Sequence, residues 1–291
     1  MGSGLSAVLR AVVLAAVALG IWFLSNYESQ PHWQNYAAKP ATDFSATRAD
    51  ATLARILGPK EIPDPVGSAH NAEVRANIQK EFAAIGVKTT TYKAFTCNAW
   101  RGFSFIACAT VTDIIAEVVP GEGKAIVMLA HYDSVPAGPG ASDDKSGVVT
   151  VLETARALKT KNAPSKHPVI AVITDGEEAG LLGANSFLQN PALKARVGVV
   201  VNVEARGTRG QSLLFQTSPG DSKLIDLYAH SVPVMATSSL YAEIYKFLPN
   251  DTDLTLFIKQ GFPSFNFAFA DNVRYYHTPM DTRPNLSHAT L

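Results

Sequence analysis

Residues 125–133 read AIVMLAHYD, and residues 169–178 read VIAVITDGEE. Each begins as a six-residue run without a charged side chain and ends on polar residues that can carry chemistry. Short, Val- and Ile-rich runs of this kind are the pattern of strands buried on both faces. Between them Val148, Val151, Leu152, Ala155 and Leu158 recur at helical spacing. Strand, amphipathic helix, strand is the signature of a parallel crossover, and it decides the fold class.

Working outward, the alternation continues. Val197–Val203, Ser212–Gln216 and Ser264–Ala268 read as strands, with helices expected near Leu181–Leu188, Ser222–Ser231 and Asp253–Lys259. Upstream, Val87–Phe95 and Phe105–Val119 read as strands, and Ala51–Leu57 and Ala69–Ile85 as helices, the second closing at Gly86. The expectation is an α/β fold with a mostly parallel central sheet and helices on both faces. One domain is expected over 65–291, preceded by a tether and lead-in over 26–64 and a separate segment over 1–25.

Residues 11–24 contain no polar side chain, and residues 4–9 are mostly apolar, with Arg10 between them. A membrane-spanning helix needs about 20 residues. Residues 4–24 supply that length if Arg10 snorkels to the headgroups. A cleaved signal peptide and a buried core helix are the alternatives, although no small-x-small site follows Leu24. Either of the first two readings exports the rest of the chain, as a domain held by a membrane-spanning helix or as a released one. On that side of a membrane Cys97 and Cys108, which flank a short stretch between two strands, read either as a hairpin disulfide or as two buried thiols. Two cysteines exclude an all-thiolate zinc site. With 25 basic and 25 acidic residues among 291, the chain has no formal net charge and lacks the basic excess of a nucleic-acid binder.

In open α/β sheets ligands bind beyond the carboxyl ends of the strands. There the sequence places His131 and Asp133, Asp175, Glu177 and Glu178, then Glu204, and past the last strand Tyr276 and His277. The loop 138–145, which opens a helix, adds Asp143 and Asp144. Taken singly these are turn residues, helix caps or solvated acids. Together they would crowd carboxylates at a low-dielectric edge, which a cation would relieve. Three of the carboxylates and one hydroxide would balance two divalent cations, and mixed imidazole and carboxylate ligands suit zinc. Such a pair can polarise a carbonyl and generate hydroxide at neutral pH, the chemistry of acyl-bond hydrolysis. His32, His70, His167, His230 and His288 lack this context and read as structural or surface residues.

The set His131-x-Asp133, Ala141-Ser-Asp-Asp-Lys-Ser-Gly147, Glu177-Glu178, Glu204 and Tyr276-His-Thr-Pro279 resembles the co-catalytic two-zinc aminopeptidase family. With residues 202–207 and the apolar amino terminus, it looks closest to the membrane-bound endoplasmic-reticulum and vacuolar-membrane branch. The similarity covers roughly residues 65–288. The resemblance implies two zinc ions: Asp143 bridges them, His131 and Glu204 complete one site, and Glu178 and His277 the other. It implies Glu177 as general base on a metal-bridging hydroxide, Asp133 as orienter of His131, Tyr276 as an oxyanion donor, and a cis peptide after Asp143. The implied activity is exopeptidase hydrolysis of peptides, most simply as an aminopeptidase. Glutaminyl cyclases, which use one zinc, and non-catalytic receptor domains of the same fold are the alternatives. A related carboxypeptidase family carries a dimerisation insert, for which the 72 residues between Glu204 and His277 leave no room. Glu204 stands where many soluble members have Asp. The chain ends 14 residues after His277, short of the family's usual closing helix. A carboxy-terminal truncation, with the sheet near Ser264–Ala268 incompletely covered, is therefore expected. Residues 232–253 are expected to form part of a substrate pocket wall.

Overall fold

The computed structural model describes residues 2–29, 39–99, 105–162, 164–248 and 250–291. His32, the middle of the expected tether and the tip of the expected hairpin lie outside them. The helices are α1 (Gly2–Ser29), α2 (Ala46–Leu57), α3 (Ala69–Ala84), α4 (Lys145–Lys161), α5 (Leu182–Gln189), α6 (Pro191–Arg196), α7 (Ser222–Ser231), α8 (Ser239–Tyr245) and α9 (Leu254–Lys259). The strands are β1 (Thr89–Ala99), β2 (Ile106–Val119), β3 (Ala125–His131), β4 (Val169–Thr174), β5 (Val197–Ala205), β6 (Leu213–Thr217) and β7 (Ser264–Phe269).

All seven strands form one sheet in the order β1-β2-β4-β3-β5-β7-β6. The four central strands β4, β3, β5 and β7 run parallel, and β1, β2 and β6 add antiparallel margins. The sheet is therefore mixed, with its parallel part confined to the middle. Strand β4 shows why it is buried on both faces: Val169, Ala171 and Ile173 pack with α2, α3 and α4, and Ile170 and Val172 with α5 and α9. That is the period of two expected of a strand between helical layers. Cys97 and Cys108 face each other across β1 and β2 and are bridged.

Two features differ from the sequence expectation. The segment 26–64 contains α2, whose Ala49, Leu53, Ile56 and Leu57 are buried in the main core. Ser45 caps that helix by accepting the Arg48 N–H, and Arg48 pairs with Glu153 on α4 at 2.9 Å. A helix was expected over Ala51–Leu57 but inside a lead-in outside the domain; the structure starts it at Ala46 and packs one face of it into the core. Strand β7 is buried at five of its six positions, so its faces are covered, with α9 packed against it and Tyr228 of α7 against Phe265 and Phe267.

Helix α1 stands apart from this core. Ala7–Ser25 is exposed along its whole length and is long and apolar enough to cross a membrane.

Candidate active site

The parallel register lines up the ends of the central strands. His131, the last residue of β3, pairs with Thr174, the last of β4, and Glu204 of β5 pairs with Ala268 of β7. Glu177 and Glu178 follow β4 in a tight loop entered through Gly176 at φ +73°, a conformation that disfavours a side chain. Asp143 comes from the loop before α4. Asp144 caps that helix by accepting the Gly147 N–H, and its other oxygen accepts the His131 N–H. The peptide bond between Asp143 and Asp144 is cis. The fully buried Lys145 pairs with the fully buried Asp64 at 2.6 Å, pinning the loop to the segment before α3. His277 arrives from the far end of the chain with a left-handed backbone, φ +57°.

These elements bring the residues together. His131 Nε2 lies 3.2 Å from Asp143 Oδ1, 3.7 Å from Glu204 Oε2 and 4.0 Å from Glu177 Oε2. His277 Nε2 lies 3.1 Å from Asp143 Oδ2 and 3.1 Å from Glu178 Oε1. Potential ligand atoms of Asp143, Glu178 and His277 all fall within 4.8 Å of one another, as do those of His131, Asp144 and Glu204, and those of His131, Glu177 and Glu178. His131 Nδ1 donates to the Asp133 carbonyl oxygen at 3.1 Å, which leaves Nε2 facing the carboxylates. The Asp133 carboxylate is 3.4 Å from Nδ1 and is chiefly engaged elsewhere, accepting the Glu177 and Glu178 N–H groups at 3.0 and 3.2 Å. Tyr276 stacks on His277 with ring centroids 3.7 Å apart.

Asp281 was not among the residues singled out from the sequence. Its two carboxylate oxygens accept the Ser142 and Asp143 N–H groups at 2.8 and 3.1 Å, holding the Asp143 loop from across the site. The only sequence signal was its place four residues after His277. Of the five histidines set aside, His70 pairs with Glu73, His288 with Asp50, and His230 with the Asp226 carbonyl, all away from this cluster.

The electrostatics are those of a cluster short of positive charge. Burial raises Glu204 above the usual carboxylate value and Glu177 well above it, with carboxylate repulsion adding to it and His131 opposing it. Burial, then the neighbouring Asp143, pushes Glu178 up to about 8. Asp143 is held low against the burial penalty by hydrogen bonds to both imidazoles. Burial lowers His131, but Glu204, Asp133 and Asp143 outweigh it and hold the ring well above the usual imidazole value. Glu178 Oε1 is buried and lacks a well-aligned hydrogen-bond partner. A buried carboxylate oxygen so poorly satisfied, beside an imidazole at 3.1 Å and further acids, fits a divalent cation, which would complete its coordination and discharge the repulsion.

Asp143, Glu177, Glu204 and Tyr276 line one cavity of about 180 Å³. Its other wall is apolar, built from Leu213 and Phe215 of β6 and Tyr241, Ile244, Tyr245 and Leu248 in and after α8. Helix α8 lies inside the 232–253 segment expected to wall the pocket.

Residues 113–291 match the sequence pattern of Peptidase family M28. The human endoplasmic reticulum metallopeptidase 1 is 27% identical over 299 residues, covering 97% of this chain and 33% of that protein. The vacuolar membrane protease of Botryotinia fuckeliana is 36% identical over 168 residues, covering 57% of this chain and 16% of that protein. The chain thus spans a third or less of the length of these curated relatives. Among solved structures, the aminopeptidase from Aneurinibacillus sp. strain AM-1 superposes with a TM-score of 0.66 at 15% identity, covering 85% of this chain and 90% of that one. The Fimbriiglobus ruber glutaminyl cyclase superposes with a TM-score of 0.63 at 19% identity, covering 86% and 94%. At such identities these likenesses establish a shared fold.

Proposed function

This chain belongs to Peptidase family M28, and we propose that within it the chain is a zinc-dependent exopeptidase, an aminopeptidase, working with two zinc ions. One observation carries the reading: the Asp143 carboxylate divides its oxygens between two imidazoles, Oδ1 toward His131 and Oδ2 toward His277. A carboxylate so divided suits a bridge between two cations. His131 and Glu204 would complete one shell, and Glu178 and His277 the other, a donor set that suits zinc.

Zinc bound there would polarise the scissile carbonyl and lower the pKa of a water. The remaining work falls to the chain's own side chains. Glu177 takes the proton of the attacking water and hands it to the leaving amine as the C–N bond breaks. Its buried, raised carboxyl is matched to both transfers. Tyr276, kept protonated by burial and by the surrounding acids, donates to the oxygen of the tetrahedral intermediate. Asp133 holds Glu177 and Glu178 through their backbone N–H groups.

Helix α1 anchors the domain in a bilayer, with the site on the extracytoplasmic side. The Cys97–Cys108 bridge supports this placement, because disulfides persist in oxidising compartments. Peptides are the substrates.

The test uses zinc-loaded protein and chromogenic aminoacyl amides with free or acetylated amino groups. Cleavage of the free series alone, abolished by chelation and restored by zinc, is expected. Cleavage of the blocked series, or activity that survives chelation, overturns the reading. The glutaminyl cyclase neighbours supply the competing chemistry, so a peptide beginning with glutamine is included. Cyclisation without hydrolysis would transfer the assignment to an acyltransferase.

A further inference from the structure

The cavity that Glu177 lines is also lined by Arg206, whose guanidinium is paired with no carboxylate among the described residues. Arg206 follows Glu204 by two residues, at the carboxyl end of β5, and its backbone N–H is tied to the Phe269 carbonyl at 2.9 Å. The guanidinium carbon lies 5.1 Å from the Tyr276 ring centroid. Its Nη1 is buried without a hydrogen-bond partner, and among the described residues no carboxylate pairs with it. Of the acids that line the cavity, Asp143 and Glu204 are engaged with His131 and His277, Glu177 lies 4.0 Å from His131, and Asp251 accepts from the Thr255 hydroxyl at 3.2 Å.

Arginine cannot relieve this position by losing its proton, as a buried lysine or histidine can. An unpaired guanidinium in a half-buried wall is unfavourable unless something that visits the cavity supplies the missing acceptor. Two further polar atoms in the same walls, the Tyr245 hydroxyl and Asn250 Oδ1, are buried without a well-aligned hydrogen-bond partner among the described residues. Between them stand Leu213, Phe215, Ile244 and Leu248. A cavity whose acids already have partners, and whose opposite wall is apolar with a fixed cation, a hydroxyl and an amide oxygen, suits a peptide-like ligand bearing an anion. Guanidinium recognises carboxylate with particular geometric fit, through parallel N–H donors.

We propose that Arg206 is a specificity-determining residue that pairs a carboxylate of the substrate, so that the favoured substrates are short or acidic peptides. This rests on the exopeptidase reading. The carboxylate has two sources in a peptide: the free carboxyl terminus of a dipeptide, or the side chain of an aspartate or glutamate. The shared chemistry is the anion held in the cavity beside the scissile bond.

The experiment measures kcat/KM of the zinc-loaded protein on matched pairs. One arm compares leucyl-leucine with leucyl-leucine amide, and reads the terminal carboxylate. The other compares leucyl-glutamate α-amide, whose side-chain carboxylate is free, with leucyl-glutamine amide, and reads the side chain. In the protein as it stands, the anionic member of at least one pair is expected to be favoured about 10- to 100-fold, the value of one charged hydrogen bond. Arg206→Gln should collapse that ratio toward unity through KM, and Arg206→Lys should keep part of it. No preference in either arm overturns the proposal, and needs no variant to do so. A loss in Arg206→Gln that is equal for charged and neutral members also overturns it, since that pattern belongs to a residue acting through Tyr276. Failure of the exopeptidase reading looks different, because then neither the neutral nor the charged peptides are cleaved.

Discussion

The carboxylate of Asp133 ties two strand ends together, reaching from the end of β3 to the backbone N–H groups of Glu177 and Glu178 after β4. Two glutamates that sit side by side in sequence are thereby turned to different tasks, Glu178 toward His277 and Glu177 toward the cavity. If Glu177 moves protons and holds no metal, Glu177→Gln should leave the zinc content per chain unchanged. It should lower kcat by about a hundred- to ten-thousand-fold, the usual worth of a positioned general base. Elemental analysis alongside steady-state kinetics separates the roles. A variant that loses zinc marks Glu177 as a ligand, and near-normal turnover removes it from catalysis.

Among the elements, α2 shows most clearly that composition and packing can diverge. Its sequence is charged and alanine-rich, yet Leu53 and Ile56 are fully buried against the core shared with α3 and α4. Arg48 and Arg156 converge on the same Glu153, clasping the start of α2 to α4. Leu53→Ala should therefore destabilise the domain by about 2–5 kcal/mol, as buried leucine truncations do. Urea unfolding measures this directly. A change within experimental error would mean that residues 46–57 are an accessory tether outside the cooperative unit.

Over the whole molecule, the cluster couples stability to pH and to cation binding. Without a cation, burial and Asp143 push Glu178 up to about 8. Burial lowers His277, but hydrogen bonds to Asp143 and Glu178 outweigh it and hold the ring at about 10. Both values exceed those of the unfolded chain, about 4.3 and 6.5. The stability they contribute is fully present below the unfolded values and lost as pH rises through the folded ones. Cation-free protein therefore weakens from neutral pH upward, over the range in which ligands shed their protons and bind metal more tightly. Zinc at saturation should raise Tm more at about pH 8 than at about pH 6, with protons released on binding. Calorimetry at the two pH values checks this, and equal shifts would place the zinc away from Glu178 and His277.

The sequence by itself determined the strands β3, β4, β5 and β7, the helices between them, and the delivery of His131, Asp143, Glu177, Glu178, Glu204 and His277 to one edge of the sheet. Those features follow from local periodicity and from which residue comes next after a strand, and neither needs a partner to be legible. Tertiary structure alone decided that α2 joins the core, that Asp281 grips the Asp143 loop from 138 residues away, and that Asp133 serves backbone N–H groups more than an imidazole. It also decided that Arg206 lines the cavity with no carboxylate paired to it among the described residues. Each of these depends on which groups meet after the chain has closed on itself, and the hydrogen-bond and charge balance of a buried side chain is set by such neighbours, wherever they lie in the sequence.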